Sequence, residues 1–320
     1  MIGAPRGLGQ AVGIDVGGTK TAAARVDVDG SVLAREILPT PADDMGATLE
    51  TMVKTARAVM TPDVRAVGVA AAGLVESSTG ILRFAPNLAW RDAPLVAHLE
   101  AELDLPVVAD NDNTAAAWGE YRFGAGRGYA DVLLVGVGTG IGGGIVSGGK
   151  LFRGAHGFAG EIGHIVMDPS GPLCGCGNHG CWEQLASGQA VTRAGRKAVL
   201  DRVETSLVER SGGQADRVTG SMVTEAARAG DMVAVSILAD VGRWLGTGIA
   251  GLVNTLDPEI VVLAGGVAEA GDLLLRPARA GFRDAVEAVD HRPEVPVVLA
   301  ELGSDTGVVG AAALVLETPG

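Results

Sequence analysis

Aromatic side chains are scarce in this 320-residue chain, at 3% of positions, and 25 lysines and arginines are outnumbered by 38 aspartates and glutamates. With so few rings, a core has to close through aliphatic and small side chains, and 49 glycines suit tight turns and close backbone contacts. No local cluster of lysine or arginine offsets the formal charge of −13. Such a surface repels phosphate backbones and anionic lipid, which argues against nucleic acid or a membrane surface as a partner. Cysteine is nearly missing as well: three residues, all within one eight-residue window. An odd, clustered set does not make a disulfide framework and suits metal ligation in a reducing compartment. The first ten residues lack the apolar run of a secretory signal. The uncharged stretch Val132–Gly149 has eight glycines among its 18 residues and reads as a glycine-turned hairpin, not a membrane helix. A soluble, cytoplasmic protein is expected.

At 47% hydrophobic and 20% charged residues, the chain can bury a sizeable core. Apolar runs at Ala11–Asp15, Thr21–Val28, Ser31–Ile37, Val64–Ala70, Val107–Ala109, Ile260–Leu263 and Val295–Ala300 read as strands, and Asp29-Gly30 marks a hairpin. Helical spacing runs over Thr48–Met60, Leu95–Leu103, Thr114–Tyr121, most of 186–256 and Gly307–Leu316. The polar stretch Ser211-Gly212-Gly213 reads as a mobile loop. Strands alternate with helices in two similar halves, which implies a layered α/β architecture. The expected boundaries are a smaller domain, 1–115 plus 305–320, and a larger one, 116–304. The glycine-rich motifs fall at the carboxyl ends of strands, where such folds bind ligands.

Five segments carry chemistry. Asp15-Val-Gly17-Gly18-Thr19-Lys20 and Gly136-Val-Gly138-Thr139-Gly140 are glycine turns whose amides can approach phosphate oxygens, one turn in each half. Either could also be a plain hairpin. Asp110-Asn111-Asp112-Asn113-Thr114 precedes an alanine-rich helix; one of these residues caps it, and Asp112 is a candidate general base. In the run from Glu161 to Glu183, His164, Cys174, Cys176 and Cys181 form a Cys₃His set, the ligand chemistry of a closed structural zinc site. The alternative is three buried thiols packed as small hydrophobes, and His179 competes for the fourth ligand position. Finally, the strand before Gly265-Gly266 can support a nucleotide or serve helix packing alone.

In order and spacing, these segments resemble the ROK family (repressors, open reading frames and sugar kinases), from about Gly13 to Leu316. The most specific part is Glu161-Ile-Gly-His164 with Cys174-Gly-Cys176-Gly-Asn-His-Gly-Cys181-Trp-Glu183. The resemblance implies an actin-like (ribonuclease H-like) sugar kinase fold of two α/β domains with a hexose in the cleft, ATP as phosphoryl donor, Mg²⁺ to screen its phosphates, and a structural Zn²⁺. It implies Asp112 as the base, and Gly73, Asn87, Asn111, Asp112, Glu161, His164 and Glu183 around the sugar. His164 would use one ring nitrogen for the sugar and the other for zinc. Gly17, Gly18, Thr19, Lys20, Gly138, Thr139, Gly265 and Gly266 would line the nucleotide. The Pro86-Asn87-Leu88-Ala89-Trp90 form is similar to the bacterial glucokinase branch, which makes phosphorylation of glucose at its 6-hydroxyl the expected reaction. Other hexoses (N-acetylmannosamine, fructose, mannose, allose) and a non-catalytic sugar sensor stand beside it. Polyphosphate is an alternative donor, although no long basic channel is visible. Family members often read Glu-Asn-Asp-Ala-Asn where this chain has Asp110-Asn-Asp-Asn-Thr114, a change that touches sugar geometry more than the reaction. About a dozen residues precede the first glycine turn, too few for the DNA-binding motif of the repressor branch. A homodimer or homotetramer is expected by resemblance.

Overall fold

The structure is a computed structural model, and it describes residues 9–85 and 90–316. Thirteen strands and ten α-helices are present among these residues. The first sheet holds β1 (Gln10–Val16), β2 (Lys20–Val26), β3 (Val32–Pro39), β4 (Val64–Ala71) and β8 (Val107–Asn111), in the order β3-β2-β1-β4-β8. Its first three strands form an antiparallel meander, while β1, β4 and β8 run parallel. β5 (Leu74–Glu76), β6 (Ile81–Phe84) and β7 (Arg91–Ala93) make a separate antiparallel sheet. The third sheet contains β9 (Val132–Val137), β10 (Ile141–Ser147), β11 (Lys150–Leu151), β12 (Ile260–Ala264) and β13 (Val297–Leu299), in the order β11-β10-β9-β12-β13. Numbered within each half, the two large sheets share one order: third, second, first, fourth, fifth. The two similar halves expected from the sequence are therefore one topology used twice.

The chain divides into two compact units. One comprises Met1–Leu134, Gly144–Gly160 and Ala300–Gly320; the other comprises Val135–Gly143 and Glu161–Leu299. In the first unit, α1 (Met45–Val59) and α2 (Leu95–Leu103) cover one face of the sheet, with Leu49, Met52, Val53, Leu95 and Leu99 in a core shared with Val12, Ile14, Val67 and Val69. The Asp44 carboxylate caps α1 by accepting from the Ala47 amide. α3 (Asp112–Phe123) and α10 (Thr306–Ala313) supply the other cover. α10 lies so close to the sheet that a side chain at Gly13 would meet the Val308 carbonyl, and one at Gly68 the Ala311 carbonyl. Backbone contact of this kind replaces the missing aromatic filling. The carboxylate of Glu120 is fully buried beneath this layer. It accepts from the amides of Ala125, Glu301 and Leu302 at 2.9, 3.1 and 3.0 Å, tying α3 to the start of α10.

The second unit is mostly helical around its strands. α8 (Met232–Leu256) is its long central helix, packed on α4 (Trp182–Ala186), α5 (Gly188–Leu200), α7 (Gly220–Arg228) and α9 (Asp272–Ala285). By length and composition alone, α8 could cross a membrane. Its apolar stripe, including Ile237, Leu238, Leu245, Ile249 and Val253, is instead buried in the unit's core. Asp231 caps α8 and also accepts from Thr205 and Ser206, at 2.7 Å and 2.6 Å, which fastens α6 (Ser206–Arg210). Burial opposes that charge, but these hydrogen bonds hold the carboxyl well below the usual range. The stretch Ser211–Gly213 forms a hydrogen-bonded turn: Ser211 is buried, and the amides of residues 211–213 donate to the carbonyls of Leu207, Glu209 and Val208. Gly212 and Gly213 supply the left-handed backbone that the turn requires.

Candidate active site

In the first unit the candidate residues come together through strand register. Val16, Ala71 and Asn111 lie side by side at the carboxyl ends of β1, β4 and β8. The residues that follow them, Gly17, Ala72-Gly73 and Asp112, therefore leave the sheet along one edge, where parallel α/β sheets gather ligands. Asn111 caps α3: its Oδ1 accepts from the amides of Asn113 and Thr114 at 2.9 and 3.2 Å. Its Nδ2 donates to the Gly73 carbonyl at 3.1 Å. Asp112 opens the helix, half-buried, and its Oδ1 accepts from the amide and the side-chain Nδ2 of Asn113 at 2.9 and 3.0 Å. The helix N-terminus favours a carboxylate there. Of the two roles read for this run, Asn111 takes the cap, so Asp112 is not needed for it.

The Gly17–Lys20 turn is closed by a 3.1 Å bond from the Gly17 amide to the Lys20 carbonyl, and Gly18–Thr19 and Lys20 are not buried. Asp15, just before the turn, is a residue the sequence reading passed over as a site. Its carboxylate lies where a side chain on Gly307, at the start of α10, would have to go. Burial raises its pKa, and the nearby Lys20 charge works against that rise. The signal was available: a carboxylate in an otherwise apolar strand, immediately before a glycine turn.

In the second unit, the Gly138 amide bonds the Gly140 carbonyl at 3.0 Å. The first amides of α5 donate to the carbonyls of Gly138 and Thr139 at 2.9 and 3.3 Å. Gly265–Gly266 lies beside the same turn: Val267 donates to the Val137 carbonyl at 3.0 Å, and Gly265, at φ +91°, leaves no room for a side chain against Val137. Gly138 and Gly266 face open space. The four nucleotide candidates of this unit thus share one glycine-lined surface.

The cysteine segment folds back on itself with little regular structure. Two isolated bridges, Val166↔Cys181 and Leu173↔His179, pin it, and a 3₁₀ turn, Ile162–His164, presents the histidine. Ligand atoms of His164, Cys174, Cys176 and Cys181 all lie within 4.8 Å of one another. Cys176 and Cys181 Sγ are 3.5 Å apart, and Cys174 Sγ is 3.6 Å from His164 Nδ1. A tetrahedral zinc with ordinary bond lengths needs about 3.8 Å between sulfurs and about 3.6 Å from sulfur to nitrogen. The donor set therefore fits that metal. His179 stays out of the cluster, with its Nδ1 3.1 Å from the Gly171 carbonyl. Burial pushes the Cys174 thiol up to about 12, with its hydrogen bond to Glu183 adding to the rise, whereas the Asn178 amide lowers that of Cys176. Metal ligation would release the Cys174 proton.

Both glutamates of the segment converge on the cluster. Glu183 Oε1 accepts from Cys174 Sγ at 3.0 Å and lies 4.0 Å from His164 Nδ1. Its Oε2 occupies the place a side chain on Gly140 would take, so Glu183 links the cysteine knot to the second glycine turn. Glu161 Oε2 is 3.8 Å from His164 Nε2, the nitrogen turned away from the cysteines. Crowding by surrounding protein raises the Glu161 carboxyl; His164 opposes this and Glu183 adds to it. The result is an imidazole ring with a carboxylate near each nitrogen, a polar set suited to a polyhydroxylated ligand. Asn87 lies outside the described residues.

Comparison with known proteins places this geometry. The family model for the ROK family matches residues 11–318. A glucokinase of Streptomyces coelicolor is 42% identical over 315 residues, covering 97% of this chain and 98% of that protein. An N-acetylmannosamine kinase of Escherichia fergusonii is 35% identical over 303 residues, covering 94% and 96%. The crystal structure of a ROK family glucokinase from Streptomyces griseus in complex with glucose and AMPPNP superimposes with a TM-score of 0.88 at 44% identity, covering 96% of this chain and 99% of that one.

Proposed function

The chain belongs to the ROK family, and we propose on that footing that it transfers the γ-phosphoryl group of ATP to the 6-hydroxyl of glucose. The observation that carries this reading is the cysteine segment. Gathered with three cysteines, His164 has Nδ1 toward Cys174 and Nε2 away from it near Glu161, with Glu183 on the Nδ1 side. A hexose offers donors and acceptors on adjacent carbons and suits such an alternation. The Streptomyces griseus relative, similar over nearly the whole chain, is a glucokinase in complex with glucose and AMPPNP.

In this reading Glu161, His164 and Glu183 bind sugar hydroxyls, and Gly73, Asn87 and Asn111 hold the side of the sugar that reacts. Asp112 accepts the proton of the 6-hydroxyl as its oxygen attacks phosphorus, a contribution typically worth about 10²–10⁴-fold. Amides and side chains of Gly17, Gly18, Thr19, Lys20, Gly138, Thr139, Gly265 and Gly266 hold the nucleotide. Most of the rate comes from positioning and electrostatics, as is usual in phosphoryl transfer. Mg²⁺ on the nucleotide would supply charge neutralisation for its phosphates. Zinc held by His164, Cys174, Cys176 and Cys181 is structural, since four protein ligands leave no open position. A cytoplasmic setting keeps those thiols reduced, and we expect a dimer or tetramer.

Formation of the sugar phosphate over a panel of glucose, N-acetylmannosamine, mannose, fructose and allose, with ATP or polyphosphate as donor, tests the reading. Glucose with ATP is expected to give the highest kcat/KM. No phosphorylation of any hexose would leave only a sugar sensor, and a preference for N-acetylmannosamine would move the chain to the other kinase class it resembles.

A further inference from the structure

We infer that the buried ion pair between Arg153 and Asp110 positions the Asn111–Asp112 turn, so that Arg153 acts on the transfer step through Asp110 without touching substrate. Asp110 is fully buried at the carboxyl end of β8. Its Oδ2 accepts from Arg153 Nε at 2.6 Å, and its Oδ1 accepts from the Asn111 amide at 2.9 Å. One carboxylate therefore grips the guanidinium with one oxygen and the peptide leading to Asp112 with the other. Asn111 spends both ends of its side chain on the α3 cap and the Gly73 carbonyl. The orientation of Asp112 thus follows from a chain of contacts that starts at Arg153.

Arg153 is itself anchored. Its carbonyl accepts from the Ala159 amide at 3.1 Å, which closes the loop 153–159. Within that loop Gly157 packs against the Val75 carbonyl and Ser77, at the edge of the small sheet. The Arg153 side chain is 32% exposed while the Asp110 side chain is 1% exposed, so solvent reaches the cation and not the anion. A carboxylate buried to this degree is costly to hold unpaired. Burial already raises the Asp110 pKa, with Arg153 opposing. Without the guanidinium, Asp110 protonates or draws in water, and in either state its hold on the Asn111 amide changes. Arg153 also precedes Glu161 by eight residues in sequence, so one stretch of chain both carries a sugar-binding candidate and steadies the base.

The inference rests on Asp112 being the base, so Asp112→Asn is assayed beside Arg153→Met, Asp110→Asn and the double variant, each normalised to folded protein and with its melting temperature recorded. Expected for Arg153→Met is a kcat lower by roughly 10–100-fold, the scale of a small displacement of a reacting group, with little change in KM for ATP. Asp110→Asn should fall similarly, and the double variant little further, because the pair acts as one unit. A residue that only supports the fold would lower the melting temperature and leave kcat per folded molecule unchanged. Should Arg153→Met fail to fold, Arg153→Lys keeps the charge but not the planar donor, and a severalfold kcat loss is expected. Turnover within twofold of wild type in the folded Arg153 variants, or additive losses in the double variant, would overturn the inference. Wild-type turnover in Asp112→Asn would instead sink the assignment of the base.

Discussion

The Asn111–Asp112 turn and the Glu161–Glu183 segment both present carboxylates, yet they are held by different means. The turn inherits its geometry from regular structure. Three parallel strands end in register beside it, a helix begins on it, and a buried ion pair lies under it. The segment has almost none of this. Between Gly163 and Cys181 it contains two isolated bridges and exposes Ile165, Val166 and Leu173, the last at 63%. What converges inside it is four ligand atoms. Layered packing prearranges one set of polar groups, and coordination chemistry has to arrange the other.

The difference can be broken from either side. The largest effect is expected from Asp112→Asn, which keeps the shape of the turn and removes the base: kcat should fall by about 10²–10⁴-fold with glucose affinity retained. Rapid-quench or coupled-assay kinetics would show it, and unchanged turnover would withdraw the assignment. Cys176→Ala should act on the other side. Zinc content and glucose affinity should drop together, the latter by about 10–100-fold, as is typical when support for a metal-site group is lost. Metal analysis with calorimetry checks this, and full affinity in zinc-free protein would uncouple the knot from the sugar. Gly140→Ala sharpens the comparison. The new methyl group meets Glu183 Oε2, a flexible carboxylate that can swing aside. KM for glucose should rise more than KM for ATP, although Gly140 sits in the nucleotide turn; a rise confined to ATP would deny the link.

The smallest catalytic effect is expected far from both regions. Asp231→Asn should leave kcat near wild type and lower stability by about 1 kcal/mol at neutral pH, since Asn caps as well as Asp but loses the charged hydrogen bonds from Thr205 and Ser206. The folded pKa of Asp231 is depressed, so its contribution is present above the unfolded value and is lost as pH falls through the folded one. The gap in melting temperature between wild type and variant should therefore begin to narrow below about pH 4 and close only once pH falls past the depressed folded value. A gap that stays constant at acid pH would point to packing in place of charge.

Much of this was legible in the sequence where chemistry is local. The Cys₃His spacing fixed the cluster, and the distances select His164 over His179 because only the first reaches the sulfurs. Apolar runs located β1, β4, β8 and β12 because most of each strand is buried. The small sheet β5-β6-β7 was not expected, since strands of three or four residues carry too short a pattern. Nor was α9, whose interior Pro277 masks a stripe of Leu274, Leu275, Ala278 and Phe282. Links made across the chain were the least visible. Nothing near Arg153 in sequence points to Asp110, and nothing near Gly140 points to Glu183; both contacts exist only once the fold closes.

Calorimetric titration of glucose into the Asp112→Asn protein, with zinc and after its removal, tests the central claim most directly, because turnover no longer interferes. The account predicts clear binding to the zinc-loaded protein and affinity lower by about 10-fold or more once zinc is stripped, with the rest of the fold intact by circular dichroism. Equal affinity in both forms would contradict it, and would mean that the sugar side, like the catalytic turn, is built by the fold alone.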